Sequence, residues 1–274
     1  MGSAVPQTLP AEFAEPLQRV AEQTRSFVTR VLWYPEIAST NDVAASFADA
    51  GAEQGLIVLA DTQTAGRGRL GRSWASPSGA GIYASVILRP ERPVAELLTI
   101  AAGVAIADGI EAATGLAPRL KWPNDVVIHD RAGGAGGRKV AGILAESGVS
   151  ADGSRWVVLG FGINVLPAAY PPEIAARATS LENELGRAID RGLVLAECVS
   201  ALVARYSELC AGRGPSIVSA WRQRGASMLG RRVEWESGGM LHSGVACDID
   251  EMGALIVSDG RDRVRMTSGE VRWV

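Results

Sequence analysis

The sequence predicts an α+β protein in three parts: a helical or flexible extension over residues 1–27, a body over 28–227 with a mostly antiparallel mixed sheet, and a small β-barrel over 228–274. Three observations predict it. Strand-like runs adjoin one another instead of alternating with helices throughout, which disfavours a doubly wound parallel fold. One long segment, Val94 to Thr114, combines good helix formers with apolar residues recurring at three and four. After Met228 the pattern changes to five short alternating runs separated by turn residues.

At 274 residues and 47% hydrophobic content, the chain can bury a sizeable core and a satellite unit without covalent staples. A formal charge of -3 excludes a broad basic field, and with it a general nucleic-acid or membrane-surface role. Any anion it binds has to meet a local basic site. Cys198, Cys210 and Cys247 are odd in number, far apart and without a C-x-x-C pair, so they read as small apolar core residues of a cytoplasmic protein. The start MGSAVPQTLPAEFAEP lacks a basic stretch followed by an apolar run, and no window of about 18 apolar residues is evident, so neither secretion nor membrane spanning is expected.

Taken in order, residues 11 to 30 have a helical pattern broken by Pro16, too short for a complete DNA-binding domain. VLWYPEI (Val31 to Ile37) is a strand candidate, and Ser39 with Asp42 has the S-x-x-D form of a capping box opening a helix that stops at Gly51. GLIVLA (Gly55 to Ala60) and IYASVIL (Ile82 to Leu88) are strand-like runs flanking a glycine- and arginine-rich loop. Beyond the long helix, RLKW, DVVIH, KVAGILAES and WVVLGFGINV, joined by turn-like PND, RAGGAGGR and VSADGS, read as an antiparallel meander. Helices return at about 190 to 211 and 215 to 225. LGRRVEWE, LHSGVACDI, ALIVS, DRVRM and EVRWV then read as a barrel of the SH3 type.

The segment QTAGRGRLGRSW (Gln63 to Trp74) interleaves Gly66, Gly68 and Gly71 with Arg67, Arg69 and Arg72. Glycines let backbone N–H groups approach an anion, and guanidinium forks make charge-assisted bonds to phosphate oxygens. It is neither a Walker loop nor a dinucleotide fingerprint, and alone it reads as a solvated loop. It does not stand alone. LKWPNDVVI sets Lys121, Asn124 and Asp125 around a Pro turn between two strands, where side chains sit on rigid ends. GRKVAGILAE places Lys139 at the mouth of a strand whose Gly142 leaves room for a ligand against the backbone, and GFGINV repeats that with Gly160 and Gly162 before Asn164. Together these suggest a cleft for a nucleotide and a flat apolar ligand.

STN (Ser39 to Asn41), QTAGRGRLGRSW, KWPND, GRKVAGIL, GFGINV and ATSL (Ala178 to Leu181) occur in the order found in biotin protein ligases. On these motifs about residues 31 to 274 resemble that family, in its stand-alone form without an N-terminal DNA-binding domain. The resemblance implies a catalytic domain related to class II aminoacyl-tRNA synthetases and lipoate ligases, followed by an SH3-like domain. It also implies two steps: the carboxylate of biotin attacks the α-phosphate of MgATP, giving biotinyl-5′-AMP and pyrophosphate, and a carrier lysine then takes the biotinyl group and expels AMP. No covalent enzyme intermediate is needed.

By the same resemblance Ser39, Thr40, Asn41 and Gln63 belong to the biotin pocket, with Gly142 beside them, and Gly66, Arg67, Gly68 and Arg69 to a loop over biotin and the adenylate phosphate. Lys139 resembles a lysine touching both the biotin carboxylate and the phosphate, an electrostatic role. Arg69, Arg72, Trp74, Lys121, Asn124 and Asn164 fall around ATP, with Trp74 offering a stacking face. Asp125 would orient the incoming lysine or assist Mg²⁺, which needs few protein ligands. The implied catalytic set is Arg69, Lys139 and Asp125. The implied partner is a biotin carboxyl carrier protein or domain of a biotin-dependent carboxylase, with neither DNA nor membrane. The stretch RAGGAGG (Arg131 to Gly137) reads as a flexible hairpin tip. An exposed sheet edge leaves both a monomer and a homodimer open. A lipoate or octanoyl ligase shares the fold but differs in its anion-loop motif, while an RNA-binding module would need a more extended basic and aromatic surface.

Overall fold

The structure is a computed structural model, and it describes residues 5–90, 92–129, 137–167, 172–267, 269 and 271–274. The RAGGAGG turn lies outside these except for Gly137. In chain order the body holds α1 (Ala11–Arg19), α2 (Ala21–Thr24), β1 (Arg30–Ile37), α3 (Thr40–Asp49), β2 (Leu56–Gln63), β3 (Gly81–Leu88) and α4 (Arg92–Thr114). There follow β4 (Arg119–Lys121), β5 (Asp125–Ile128), β6 (Arg138–Val149), β7 (Arg155–Asn164), α5 (Pro172–Ala175), α6 (Leu181–Leu185), α7 (Arg191–Cys210) and α8 (Gly214–Gly225).

Seven strands form one mixed sheet in the order β1-β2-β3-β7-β6-β5-β4. The β1–β2 pair is parallel and every other neighbour antiparallel, so the expected meander of β4 to β7 is present. The two-residue strand period sorts side chains to two faces. Ile57, Leu59, Ile82, Ala84, Val86, Leu159, Phe161 and Ile163 pack with α4 and α7 in the larger core, whereas Leu56, Val58, Ile87 and Val158 pack with Ala44 and Ala48 of α3. Only part of that second face is covered by α3, and the remainder is open to a ligand.

Several sequence expectations need correction. The chain runs helically through Pro16. The lost N–H would have met the carbonyl of Glu12, and that carbonyl lies instead against Gly192 of α7. Residues 11–19 are further tied to the body by Arg191, which ion-pairs with Glu12 at 2.8 Å and Asp61 at 3.1 Å. Ser39 is the N-cap of α3 but its side chain makes no capping bond, and Asp42 pairs with Arg67 instead. Val94–Thr114 is long and apolar enough to cross a membrane, yet 72% of its apolar window is buried as the central core helix of this sheet. Cys198 is buried against α4, its thiol pushed up by desolvation, but Cys210 and Cys247 are exposed.

The five C-terminal strands, β8 (Arg232–Ser237), β9 (Met240–Ile249), β10 (Leu255–Ser258), β11 (Arg263–Met266) and β12 (Val271–Trp273), form an antiparallel sheet in the order β11-β10-β9-β8-β12. Among the described residues β11 and β12 do not pair, so the expected barrel is not closed. This sheet meets the body at the turn between β4 and β5. Buried Trp122 donates from Nε1 to the Gly253 carbonyl at 3.0 Å, and Trp273 donates to the Trp122 carbonyl at 3.3 Å. Gly253 has φ +80°, and a Cβ there would stand 2.7 Å from Ile100 of α4.

Trp122→Phe keeps an aromatic ring but removes the indole N–H and leaves the buried Gly253 carbonyl without its donor, so urea unfolding should show a loss of at least about 1–3 kcal/mol, the smaller ring adding to it. Hydrogen exchange should quicken first in residues 250–266. An unchanged midpoint and exchange pattern would show that this bond does not join the two parts.

Candidate active site

A cleft of about 620 Å³ lies on the free face, bounded by α3, the arginine loop, the β4–β5 turn and the last strand of the C-terminal sheet. Its floor is bare backbone. Gly142 of β6 and Gly162 of β7 are cross-strand partners. A Cβ at Gly162 would meet the Trp74 indole at 2.4 Å, and one at Gly142 would meet both that ring and Lys139 at 2.9 Å. The glycines that the sequence offers as space for a ligand thus receive an aromatic ring. Trp74 Nε1 is buried there with no hydrogen-bond partner among the described residues. Buried donors without a partner are uncommon in folded proteins.

Lys139 stands with Nζ 5.1 Å above the same ring and 2.5 Å from Asp125 Oδ1. A shift of register between Val126 and Val127 sets Lys139 opposite Val127 and Asp125 opposite Gly142. The Lys139 backbone is fixed from the other side by a bond to the Arg177 carbonyl at 2.7 Å and one from Thr179 N at 2.9 Å.

At the α3 end the wall is polar and buried. Gln63 Oε1 accepts from the Thr40 backbone at 2.8 Å and from its hydroxyl at 3.1 Å, while Gln63 Nε2 donates to Ser76 Oγ at 2.8 Å. Ser85 Oγ lies 2.6 Å from Asn41 Oδ1 and 2.8 Å from Thr40 Oγ1, and Asn41 Nδ2 donates to Glu146 Oε2 at 2.7 Å. Gly160 makes room for this amide, since a Cβ would stand 2.0 Å from Asn41 Oδ1.

The arginine loop closes on itself through Gly68 N to the Arg72 carbonyl at 2.7 Å and Trp74 N to the Gly66 carbonyl at 2.8 Å. Leu70 at its tip is 65% exposed with φ +56°, a left-handed conformation that costs a non-glycine residue energy. Arg69 spans the cleft, with contacts to Asn124 Oδ1 at 3.3 Å and the Gly269 carbonyl at 3.5 Å. Asn124 donates in turn to the Ile143 carbonyl at 2.7 Å. Burial lowers the Arg69 pKa, Asp125 opposes that and Arg72 adds to it. Burial likewise lowers the Lys121 pKa, against Asp125 and together with Lys139, Arg177 and Arg231. Desolvation weighs against the charged forms of these two residues, and a neighbouring anion would oppose it.

Every site residue named from the sequence except Gly66 lines this one cleft. Gly66 sits at the loop's root, where a Cβ would strike the Trp74 carbonyl at 2.5 Å and Ser76 Oγ at 2.8 Å. Asn164 is present but turned to the Thr179 carbonyl at 3.1 Å. Sequence reasoning missed Ser85, Glu146, Arg177 and Arg272. Ser85 had a signal, a hydroxyl inside the apolar run IYASVIL, and so did Glu146, a carboxylate inside a strand. Arg177 and Arg272 had none, because only the fold brings them to the cleft. No group of three or more His, Cys, Asp or Glu suited to a metal occurs among the described residues.

A mixed sheet bearing a cationic loop, a lysine–aspartate pair and a buried polar pocket around one cleft marks an α+β protein with a site suited to an anionic ligand. A family model described as the Biotin/lipoate A/B protein ligase family matches residues 33–164. The chain is 36% identical over 244 residues to a biotin--[acetyl-CoA-carboxylase] ligase of Mycobacterium tuberculosis, covering 86% of each. It is 32% identical over 266 residues to the bifunctional ligase/repressor BirA of Bacillus subtilis, covering 96% of this chain and 79% of that one. A solved biotin protein ligase from Aquifex aeolicus, in complex with biotin and ATP, superposes with a TM-score of 0.74 at 27% identity, over 90% of this chain and 99% of that one. The chain belongs to the biotin protein ligase family.

Gly162→Ala tests the floor. Overpacking of about 1–3 kcal/mol should lift Trp74 from the sheet, lowering the melting temperature by several degrees, and nucleotide affinity should fall roughly ten- to a hundredfold in the protein that remains folded. Titration calorimetry with an unreactive ATP analogue reads this, and wild-type affinity would mean that Trp74 takes no part in the nucleotide site.

Proposed function

We propose that the protein is an ATP-dependent biotin protein ligase, which forms biotinyl-5′-AMP and transfers biotin to one lysine of a biotin carboxyl carrier protein. The observation carrying this reading is the convergence of the Thr40–Asn41–Gln63 pocket, Arg69, Lys139 and Trp74 on one cleft. The polar pocket suits the ureido ring of biotin, and its place in the same cleft as Lys139 would let the biotin carboxylate meet that cation. Lys139 would leave Asp125 for the biotin carboxylate and the α-phosphate, offsetting repulsion between two anions as the carboxylate oxygen bonds to phosphorus and pyrophosphate departs. Arg69, with Arg72, Lys121 and Asn124, would hold the phosphates, and Trp74 would stack on the base. In the second step the carrier amine attacks the biotinyl carbonyl and the bond to AMP breaks. Asp125, released by Lys139, would accept a hydrogen bond from that amine.

Among the described residues Asp125 is the one carboxylate lining the cleft, which fits a magnesium ion held mainly by nucleotide oxygens and water, not a protein cage. Such an ion would neutralise phosphate charge. Residues 28–227 serve as the catalytic domain in this reading, and residues 228–274 as an SH3-like domain, a proposal supported by five short antiparallel strands. A cytoplasmic setting fits the use of ATP.

Labelled biotin should pass to a carrier domain in the presence of ATP and magnesium, with lipoate and octanoate failing to compete. Transfer of lipoate in place of biotin would overturn the reading. Arg69→Ala removes a charge-assisted contact of roughly 1.5–3 kcal/mol, so adenylate should escape about ten- to a hundredfold faster while adenylation persists. Lys139→Ala should instead slow adenylate formation itself. Rapid quench paired with filtration separates the two, and equal loss of the first step in both would show that they act as one unit.

A further inference from the structure

We propose that Glu146 is a positioning residue that couples Asn41 in the biotin pocket to Arg67 at the root of the arginine loop, so that occupancy of the pocket is felt by the loop. Glu146 lies on β6, opposite Val158. One of its oxygens, Oε2, accepts from Asn41 Nδ2 at 2.7 Å and from Arg67 at 2.6 Å. Arg67 also meets Asp42 of α3 at 2.6 Å.

Two consequences follow from this geometry. First, the Asn41 amide has a fixed sense: its oxygen faces Ser85 and its nitrogen faces a carboxylate, so turning it over would set oxygen against oxygen. The face that Asn41 shows a ligand is therefore set by Glu146. Second, the charge of Arg67 is already met by two carboxylates, whereas Arg69 touches neutral oxygens at 3.3 and 3.5 Å. A phosphate would have to displace both carboxylates to take Arg67, so Arg67 anchors the loop and Arg69 is the one the phosphate takes over. A hollow of about 330 Å³ separates residues 67–72 from Leu144, Ala145 and Glu146. The Arg67 clamp bridges it, and a shift at Asn41 reaches the loop through that bridge.

The inference rests on Asn41 belonging to the biotin pocket. Its test compares Glu146→Ala, the near-isosteric Glu146→Gln and Asp42→Asn with the wild type, by calorimetry with biotin and by hydrogen exchange of residues 66–74 with and without biotin. Biotin should slow exchange in the wild-type loop. Glu146→Ala should weaken biotin about tenfold and abolish that response. Glu146→Gln keeps an acceptor for Asn41 but not the charge for Arg67, so affinity should return to within about threefold while the response stays lost. Asp42→Asn should retain both, because Glu146 still joins Asn41 to Arg67. Wild-type affinity and response in Glu146→Ala, a preserved response in Glu146→Gln, or its loss in Asp42→Asn would each overturn the proposal. A wild-type protein that binds no biotin would overturn the biotin reading itself, and is told apart by failing before any variant is compared.

Discussion

The cleft depends on a stretch of sheet from which side chains are missing. Gly142, Gly160 and Gly162 fall on the ligand face of β6 and β7, while their neighbours Ala141, Ile143, Phe161 and Ile163 are locked into the core beneath α4 and α7. A close-packed core of this kind does not yield by the 1 Å or so that a methyl group on the open face would demand. The bare backbone therefore sets how near Trp74, Lys139 and Asn41 can come, and each of them uses the approach fully. Placed on a loop, the same glycines would give freedom; on the two central strands they give a fixed floor.

Above that floor the balance of charge runs against the chain as a whole. The formal charge of the chain is -3, yet Arg69, Arg72, Lys121, Lys139, Arg177 and Arg272 all line one cleft, where Asp125 is the carboxylate among the described lining residues. Burial depresses the pKa of Arg69 and of Lys121, so for these two the charged form is partly desolvated. An anion placed against these groups would offset that desolvation by Coulomb attraction. The left-handed Leu70 at the loop tip belongs to the same economy of strain, since sparsely populated backbone conformations persist where the surroundings hold them.

What was legible in the sequence was whatever a short span determines. The strands of both sheets, the long core helix and the arginine loop could be read because apolar periodicity and the Gly/Arg interleaving are local. Pro16 misled because its lost hydrogen bond is tolerated by contact with Gly192, a residue distant in sequence. Ser39 and Asp42 misled because a better partner for Asp42, Arg67, comes from another element. The apolar segment at 94–114 is ambiguous by composition alone, since a helix enclosed by a sheet and two other helices satisfies the same hydropathy as one enclosed by lipid. Arg177 and Arg272 had no signal at all, being ordinary surface-type arginines until α5 and β12 are placed.

The two ends of the cleft are built differently, and that difference has mechanistic meaning. The polar pocket around Thr40, Asn41 and Gln63 is made by α3 and the strands of the body. The end that carries Lys121, Asn124 and Arg69 is made at a seam, where Trp122 and Trp273 join the β4–β5 turn to the C-terminal sheet and Arg69 reaches from Asn124 to Gly269. A displacement of the C-terminal sheet therefore moves one acceptor of Arg69, the Gly269 carbonyl, before it moves any group in the polar pocket. The Arg69 end of the cleft is thus built by two structural units and the polar pocket by one, and in the proposed reading this separates the holding of the nucleotide from the choice of the acid.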